Sequence, residues 1–323
     1  MISVENVRLR FDPRGIAGLS GVSFTLHEGS ITALMGPNGS GKTTLLRILA
    51  GLQKPDSGKV HTESVALLAL PPELPSEVNV QKHLIAQAPD SIPEEKKIQL
   101  SRDLADIFEF TFQLRQNLGQ LSAGQKQKVL LAGELIKNPR LVLLDEPFAH
   151  LDPHTRKDIL KSLFEYVRRQ NLTLLWVTHE MNEAARFSDR ILLLQHGKIE
   201  QDAAPSELIT RPRNIFVAQF VGYHNFFPVK KRDGKWVTPW GEEEFAFPAE
   251  EAILVVPDAA WRIVADSPMS AQIQEAYFTD TLQTFEALWG EKLLRIKGHF
   301  PSKDPGEKLL LLPDFKRCFL IGL

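Results

Sequence analysis

The run Gly36-Pro-Asn-Gly-Ser-Gly-Lys42-Thr43 constrains this chain more than any other stretch. It fits the pattern G-x-x-x-x-G-K-[ST], in which glycines let the backbone wrap closely so that its N–H groups face a phosphate. Before it, Ser30–Met35 reads as a strand. After it, Leu45, Leu46, Ile48 and Leu49 give Lys42–Leu52 helical periodicity. Strand, loop and helix in that order open an α/β domain, and the helix adds the positive end of its dipole. Lys42 is placed to reach β- and γ-phosphates, and Thr43 to offer a hydroxyl to Mg²⁺. Gly36, Asn38, Gly39, Ser40, Gly41 and Thr44 complete the cradle. The loop by itself specifies a nucleoside triphosphatase, but not which kind.

The rest of the chain divides by texture. Val7–Phe11 and Val22–Leu26 read as strands, with a turn at Glu28-Gly29 and another at Pro55-Asp56-Ser57-Gly58. From about 78 to 137, Ile85, Ile98, Leu100, Leu104, Ile107 and Phe108 recur among charges at helical spacing, which predicts a helical insertion. Strand signal returns at Leu141–Leu144, Thr173–Val177 and Ile191–Leu194, with a helix over Arg156–Gln170. Strands alternating with helices imply a parallel sheet. Beyond Ser206 come four of the five tryptophans, Trp236, Trp240, Trp261 and Trp289. Short strand-like runs succeed one another at Ile253–Val256, Arg262–Ala265, Ala271–Phe278, Thr281–Leu288, Lys292–Ile296 and Lys308–Leu312, punctuated by Asp233-Gly234, Trp240-Gly241, Trp289-Gly290 and Pro305-Gly306. We expect an all-β second domain, a small barrel or sandwich, with its tryptophans in the core. The boundaries read as 1–205 for the nucleotide domain, 206–224 for a linker and 225–323 for the β domain.

Composition narrows the setting. At 323 residues two domains are expected, and a formal charge of −2 gives no global attraction to nucleic acid. One cysteine, Cys318, and nine histidines in no ligand-spaced cluster argue for a reducing compartment and no structural metal. The N-terminus lacks the apolar stretch of a signal peptide, and no apolar run reaches about 18 residues. A partner chain would have to hold this protein at a membrane.

Two further motifs carry chemistry. Leu141-Val-Leu-Leu-Asp145-Glu146 is an apolar strand ending in two carboxylates, which would be costly to bury without a cation. Asp145 suits Mg²⁺, and Glu146 suits a general base that takes a proton from an attacking water. Leu121-Ser-Ala-Gly-Gln125 places Ser122 as the N-cap of a helix running to about Lys137.

Taken together, these motifs resemble the ATP-binding-cassette (ABC) transporter family over residues 1–220. Leu121-Ser-Ala-Gly-Gln125 looks like its signature, with Ala123 in place of the first glycine. The resemblance implies a P-loop NTPase fold of RecA-like core plus helical subdomain, and hydrolysis of Mg-ATP. It also implies a head-to-tail dimer in which Ser122, Gly124 and Gln125 face the ATP held by a second copy. Ala149-His150-Leu151-Asp152 resembles the loop that lies across that dimer interface. Leu175-Trp-Val-Thr-His179-Glu180 resembles the strand end whose histidine contacts the γ-phosphate, which adds His179 to Lys42 and Glu146 as catalytic residues. Phe11 occupies the place of the aromatic that stacks on adenine, unless it is a core phenylalanine. Thr210-Arg-Pro-Arg-Asn-Ile-Phe-Val-Ala-Gln-Phe-Val-Gly-Tyr-His-Asn225 resembles the junction that leads, in bacterial importers, into an oligonucleotide-binding-like domain called TOBE.

The resemblance further implies a peripheral subunit on the cytoplasmic face of the membrane. It would work with two integral membrane permease subunits and, indirectly, a substrate-binding protein, and not with nucleic acid. The importer group handles polyamines, sugars, ferric iron, molybdate or sulfate. The alternatives are an exporter cassette or a non-transport ABC ATPase. One element of the family pattern is missing. A glutamine is expected near Leu70, where the sequence is Val65-Ala-Leu-Leu-Ala-Leu-Pro-Pro-Glu73. Either Glu73 approximates its role, or Mg²⁺ keeps a water there, or turnover is altered.

Overall fold

Val4, Val7 and Leu9 alternate with polar residues along the first strand, so that one face is buried and the other wet. This strand, β1 (Ile2–Arg10), pairs antiparallel with β2 (Ala17–Leu26) and β4 (Ser57–His61), giving the order β2-β1-β4. The computed structural model describes residues 2–11, 17–62, 64–68, 74–148, 151–279, 281–300 and 303–322. It divides into two units, Met1–Ser206 and Glu207–Leu323.

The first unit is built on a six-stranded sheet. Its strands are β3 (Ile31–Met35), β5 (Val65–Leu68), β6 (Leu141–Asp145), β7 (Thr173–Val177), β8 (Arg190–Gln195) and β9 (Lys198–Ala203). The order is β5-β6-β7-β3-β8-β9, parallel except for the β8–β9 hairpin. Ile-Thr-Ala-Leu-Met and Thr-Leu-Leu-Trp-Val are buried at every position, as strands covered on both faces must be. Helix α1 (Lys42–Leu49) sends Leu45, Leu46, Ile48 and Leu49 into a core shared by the two sheets. It stops three residues short of Leu52, because Gly51 takes a left-handed φ of 73°.

The helical insertion carries α2 (Val80–Gln87), α3 (Glu94–Ile107) and α4 (Ala123–Leu135). The unit also holds α5 (Pro153–Arg169) and α6 (Met181–Phe187). Strand β4 begins inside the stretch Pro55-Asp56-Ser57-Gly58, which the sequence reads as a turn. Its residues are nearly all exposed or half-exposed, so no apolar alternation marks it. Pairing of Val4 with Val60 fixes it instead.

Residues 206–224, expected as a linker, fall mostly within α7 (Pro205–Thr210) and α8 (Ile215–Phe220). The Asn214 side chain caps α8 through a 3.0 Å bond from the Val217 N–H, and Ala218 packs with Ile253, Val255 and Ile321. From Glu207 on, this stretch carries packed helices within the second unit.

That unit has two five-stranded antiparallel sheets. The first is β12-β11-β10-β13-β19, from β10 (Asn225–Arg232), β11 (Lys235–Thr238), β12 (Gly241–Glu243), β13 (Glu251–Val256) and β19 (Phe319–Ile321). The second is β14-β18-β15-β16-β17, from β14 (Trp261–Ile263), β15 (Ser270–Thr279), β16 (Leu282–Trp289), β17 (Lys292–Gly298) and β18 (Lys308–Pro313). One core of Phe227, Trp236, Leu254, Trp261, Phe285 and Leu311 is shared by both sheets, with Trp240 and Trp289 packed against it. Asp233 and Gly234, both at positive φ, turn β10 into β11.

Candidate functional site

Strands β6, β7 and β3 are neighbours and parallel, so their C-terminal ends emerge side by side, about 5 Å apart per strand. Strand β3 runs into Gly36–Lys42, β6 ends in Asp145-Glu146, and β7 leads into Thr178-His179. Residues separated by more than a hundred positions thereby reach one edge, the carboxyl edge at which parallel α/β sheets bind ligands.

Close packing shapes the loop. Gly36 has φ 145°, and a Cβ there would lie 2.0 Å from the Leu194 carbonyl oxygen. Gly41 has φ 108°, and its Cβ would lie 2.5 Å from the Gly18 oxygen. Neither site admits a side chain, so the backbone lies flush against β8 and β2. The Lys42 ammonium turns back to donate to the carbonyl oxygens of Gly36 (2.8 Å) and Pro37 (3.1 Å). Burial pushes its pKa down, while Glu146 and Asp145 push it back up. Among the described residues, the buried Ser40 hydroxyl has no hydrogen-bond partner, and nothing lies within 4 Å of where a Gly39 Cβ would stand. An orphaned polar atom beside an open, amide-lined loop fits an anionic ligand.

The Thr43 hydroxyl lies within reach of the Asp145 carboxylate. Burial raises the Asp145 pKa and the Glu146 charge adds to that, while the Thr43 hydroxyl, Lys42 and Arg47 lower it. A hydroxyl beside a half-buried carboxylate is an oxygen donor set that suits Mg²⁺. Glu146 has φ 49°, a left-handed conformation costing a non-glycine residue about 1–2 kcal/mol. Its carboxylate lies 2.6 Å from His179 Nε2. The turn after β7 is braced by Glu183, which accepts from Arg156 (2.7 Å) and Thr178 (3.4 Å), while the Glu180 N–H donates to the Thr178 hydroxyl.

Other expected residues lie elsewhere in the unit. Ser122 caps α4 reciprocally with Gln125: the hydroxyl accepts from the Gln125 N–H, and the Gln125 side chain accepts from the Ser122 N–H. Asp152 caps α5 by accepting from the Thr155 N–H at 3.0 Å, and backbone and side-chain bonds from Thr155 hold its pKa down. A Cβ on Gly124 would meet Thr155 at 3.2 Å, so the two capped helix starts adjoin. No hydrogen bond among the described residues joins Ser122, Gly124 or Gln125 to the 36–44 loop of the same chain. Phe11 is 60% exposed, which excludes the core reading, and its ring lies on Gly18, whose carbonyl borders Gly41. Leu70 and Glu73, considered for the missing glutamine, lie outside the described residues, as do Ala149 and His150.

Sequence reasoning does not single out Gln127, which is buried on α4 and donates its amide N–H to the Pro147 carbonyl. It also passes over Arg156 and Glu183. Each acts through a partner distant in sequence, and no local pattern marks such a residue.

Residues 19–149 match the family model described as ABC transporter. The chain is 37% identical over 237 residues to the probable sulfate/thiosulfate import ATP-binding protein CysA of Chlorella vulgaris, covering 68% of this chain and 98% of that protein. The chain belongs to the ABC transporter ATP-binding family. A second member, the spermidine/putrescine import ATP-binding protein PotA of Bacillus thuringiensis strain Al Hakam, is 33% identical over 250 residues, 72% of this chain and 74% of its own length. Among solved structures, the dimeric ATP-binding cassette MJ0796 in a post-hydrolysis state bound to ADP and Pi matches with TM-score 0.56. It is 26% identical, covering 64% of this chain and 99% of that one. As an ABC cassette, the chain binds ATP and is an ATPase.

Proposed function

We propose that this chain is the ATP-hydrolysing subunit of an ABC importer, acting as a head-to-tail pair on partner membrane subunits. The observation that carries the reading is the meeting of the 36–44 loop, Asp145-Glu146 and His179 at three adjacent strand ends. The import names of both relatives support the direction of transport. Those relatives are named for an anion and for a polycation, so resemblance of the cassette does not carry the cargo.

In this reading the backbone N–H groups of Gly36–Thr44 hold the triphosphate, and Phe11 stacks on adenine from the Gly18 side. Lys42 leaves the carbonyls of Gly36 and Pro37 and pairs with the β- and γ-phosphates. Thr43 and Asp145 would hold Mg²⁺, which would supply positive charge to offset the charge that develops on the triphosphate. Glu146 accepts a proton from the attacking water, and His179 holds the Glu146 carboxylate and the γ-phosphate in register. The free first-turn amides of α4, with Ser122, Gly124 and Gln125, face the nucleotide of the second copy, where the positive end of the helix favours phosphate. Asp152 stands at the same dimer seam.

The second unit fits a TOBE-like domain, with Asn225 of the junction motif buried and donating to the Val256, Asp258 and Arg295 oxygens. No described helix is long and apolar enough to cross a membrane. The reading places the chain peripherally on the cytoplasmic face, held by two permease subunits that a substrate-binding protein supplies.

Glu146→Gln removes the base but keeps the shape. It should bind ATP and accumulate as a closed dimer, with turnover lowered at least ~100-fold. Turnover equal to wild type would remove Glu146 from this role. Copurification of the tagged chain with integral membrane proteins tests the transport assignment.

A further inference from the structure

Glu146 is held in an uncommon backbone conformation, with φ 49°. On its N-terminal side β6 anchors it, since Asp145 pairs with Val177 of β7. On its C-terminal side Pro147 belongs to no helix or strand. The Pro147 carbonyl is held by the amide N–H of Gln127. Gln127 is 7% exposed, and its amide needs a partner there, so this bond is specified rather than incidental.

Gln127 lies on α4, five residues after Ser122, whose reciprocal cap with Gln125 stiffens the start of that helix. The helix end that faces the second copy and the backbone that aims Glu146 are therefore joined by one rigid element and one hydrogen bond. A helix moves as a body, so a shift of its N-terminus is felt at Pro147 within two turns.

We infer that Gln127 is a positioning residue for Glu146, transmitting the placement of the Ser122–Gln125 helix end to the carboxylate that activates water. This rests on the assignment of Glu146 as general base. Gln127 touches neither nucleotide nor water; it acts through the Pro147 carbonyl. Engagement of the helix end by a second copy's nucleotide would set the carboxylate at its working angle, so base alignment would depend on dimer closure.

The test is steady-state ATP hydrolysis by the full chain with Gln127→Met, which keeps the length of the side chain and removes the donor. We expect kcat to fall about 10- to 100-fold, with KM for ATP within about twofold of wild type, because the nucleotide cradle is untouched. Added to Glu146→Gln, the same substitution should cost nothing more, since two residues that act as a unit are not additive. Should Gln127→Met fail to fold, Gln127→Ala takes its place, because it removes the donor without burying a new polar group. An unchanged kcat, a loss confined to KM, or a full additional loss on the Glu146→Gln background would each overturn the inference. The two readings fail separately. Wild-type turnover by Glu146→Gln alone defeats the base assignment, whereas a trapped Glu146→Gln with a fully active Gln127→Met defeats only the role of Gln127.

Discussion

Burial raises the Asp145 carboxyl above its ordinary range, and at the same edge it lowers the Lys42 ammonium. For Asp145 the folded chain binds the proton more tightly than the unfolded chain. Stability therefore falls as pH rises from the ordinary value towards the raised one, and the ionised carboxylate is a cost above that window. Lys42 has the opposite sense: charged, it costs stability, and stability recovers as pH climbs from its lowered value towards the ordinary one. Asp145→Asn should thus raise the ligand-free Tm of the first unit by about 2–4 °C, as ~1 kcal/mol does in a domain of this size, while abolishing the protection given by Mg-ATP. Thermal unfolding with and without Mg-ATP measures both, and a lower ligand-free Tm would contradict the argument. The candidate residues Lys42, Thr43, Asp145 and Glu146 stand out in the sequence because they sit in short runs beside strand ends, and His179 stands out through the family resemblance. Gln127 does not, because its partner is a backbone carbonyl on another element.

Helix α4 shows what capping does for an element. Its first turn is closed by the Ser122–Gln125 pair, both bonds being local, so Leu-Ser-Ala-Gly-Gln announces its own helix start. Ser122→Ala should cost about 1 kcal/mol of first-unit stability. It should weaken ATP-dependent dimerisation more than ATP binding by the isolated chain. Denaturant unfolding and sedimentation with ATP separate the two effects, and an equal loss in both would count against a role at the dimer seam. Helix α5 begins at Pro153, three residues before the expected Arg156, with Asp152 as its cap and Pro153 at its first position. Strands β4, β9 and β12 are exposed or edge-like and carry weak patterns, so only their partners define them. The 206–224 stretch misled for a related reason. Polar and basic residues precede Ile-Phe-Val-Ala-Gln-Phe, and packing of Ala218 against Ile253, Val255 and Ile321 anchors that run as a helix.

Among the described residues, one hydrophobic core lies around the six-stranded sheet, another is shared by the two five-stranded sheets, and the second unit adds a smaller cluster of Ala218, Ile253, Val255 and Ile321. Trp176 is the first unit's tryptophan, while Trp236, Trp240, Trp261 and Trp289 lie in the second, so tryptophan fluorescence mainly reports the second. ATP at about 100 times its Kd should stabilise the first unit by roughly 2.7 kcal/mol. Calorimetry should show that transition move upward while the fluorescence-detected one stays in place; a shift of both together would mean that the units unfold as one. The sequence by itself determined the nucleotide chemistry, the helical insertion and the all-β character of the second unit, because loop motifs, helix periodicity and turn residues are local signals. Tertiary structure decided which strand ends are neighbours. It brought residues 36–42, 145–146 and 178–179 to one edge, exposed Phe11 over Gly18, and tied Gln127 to Pro147. Parallel pairing and close backbone approach join segments that are far apart in the chain, and no local pattern records which of them will meet.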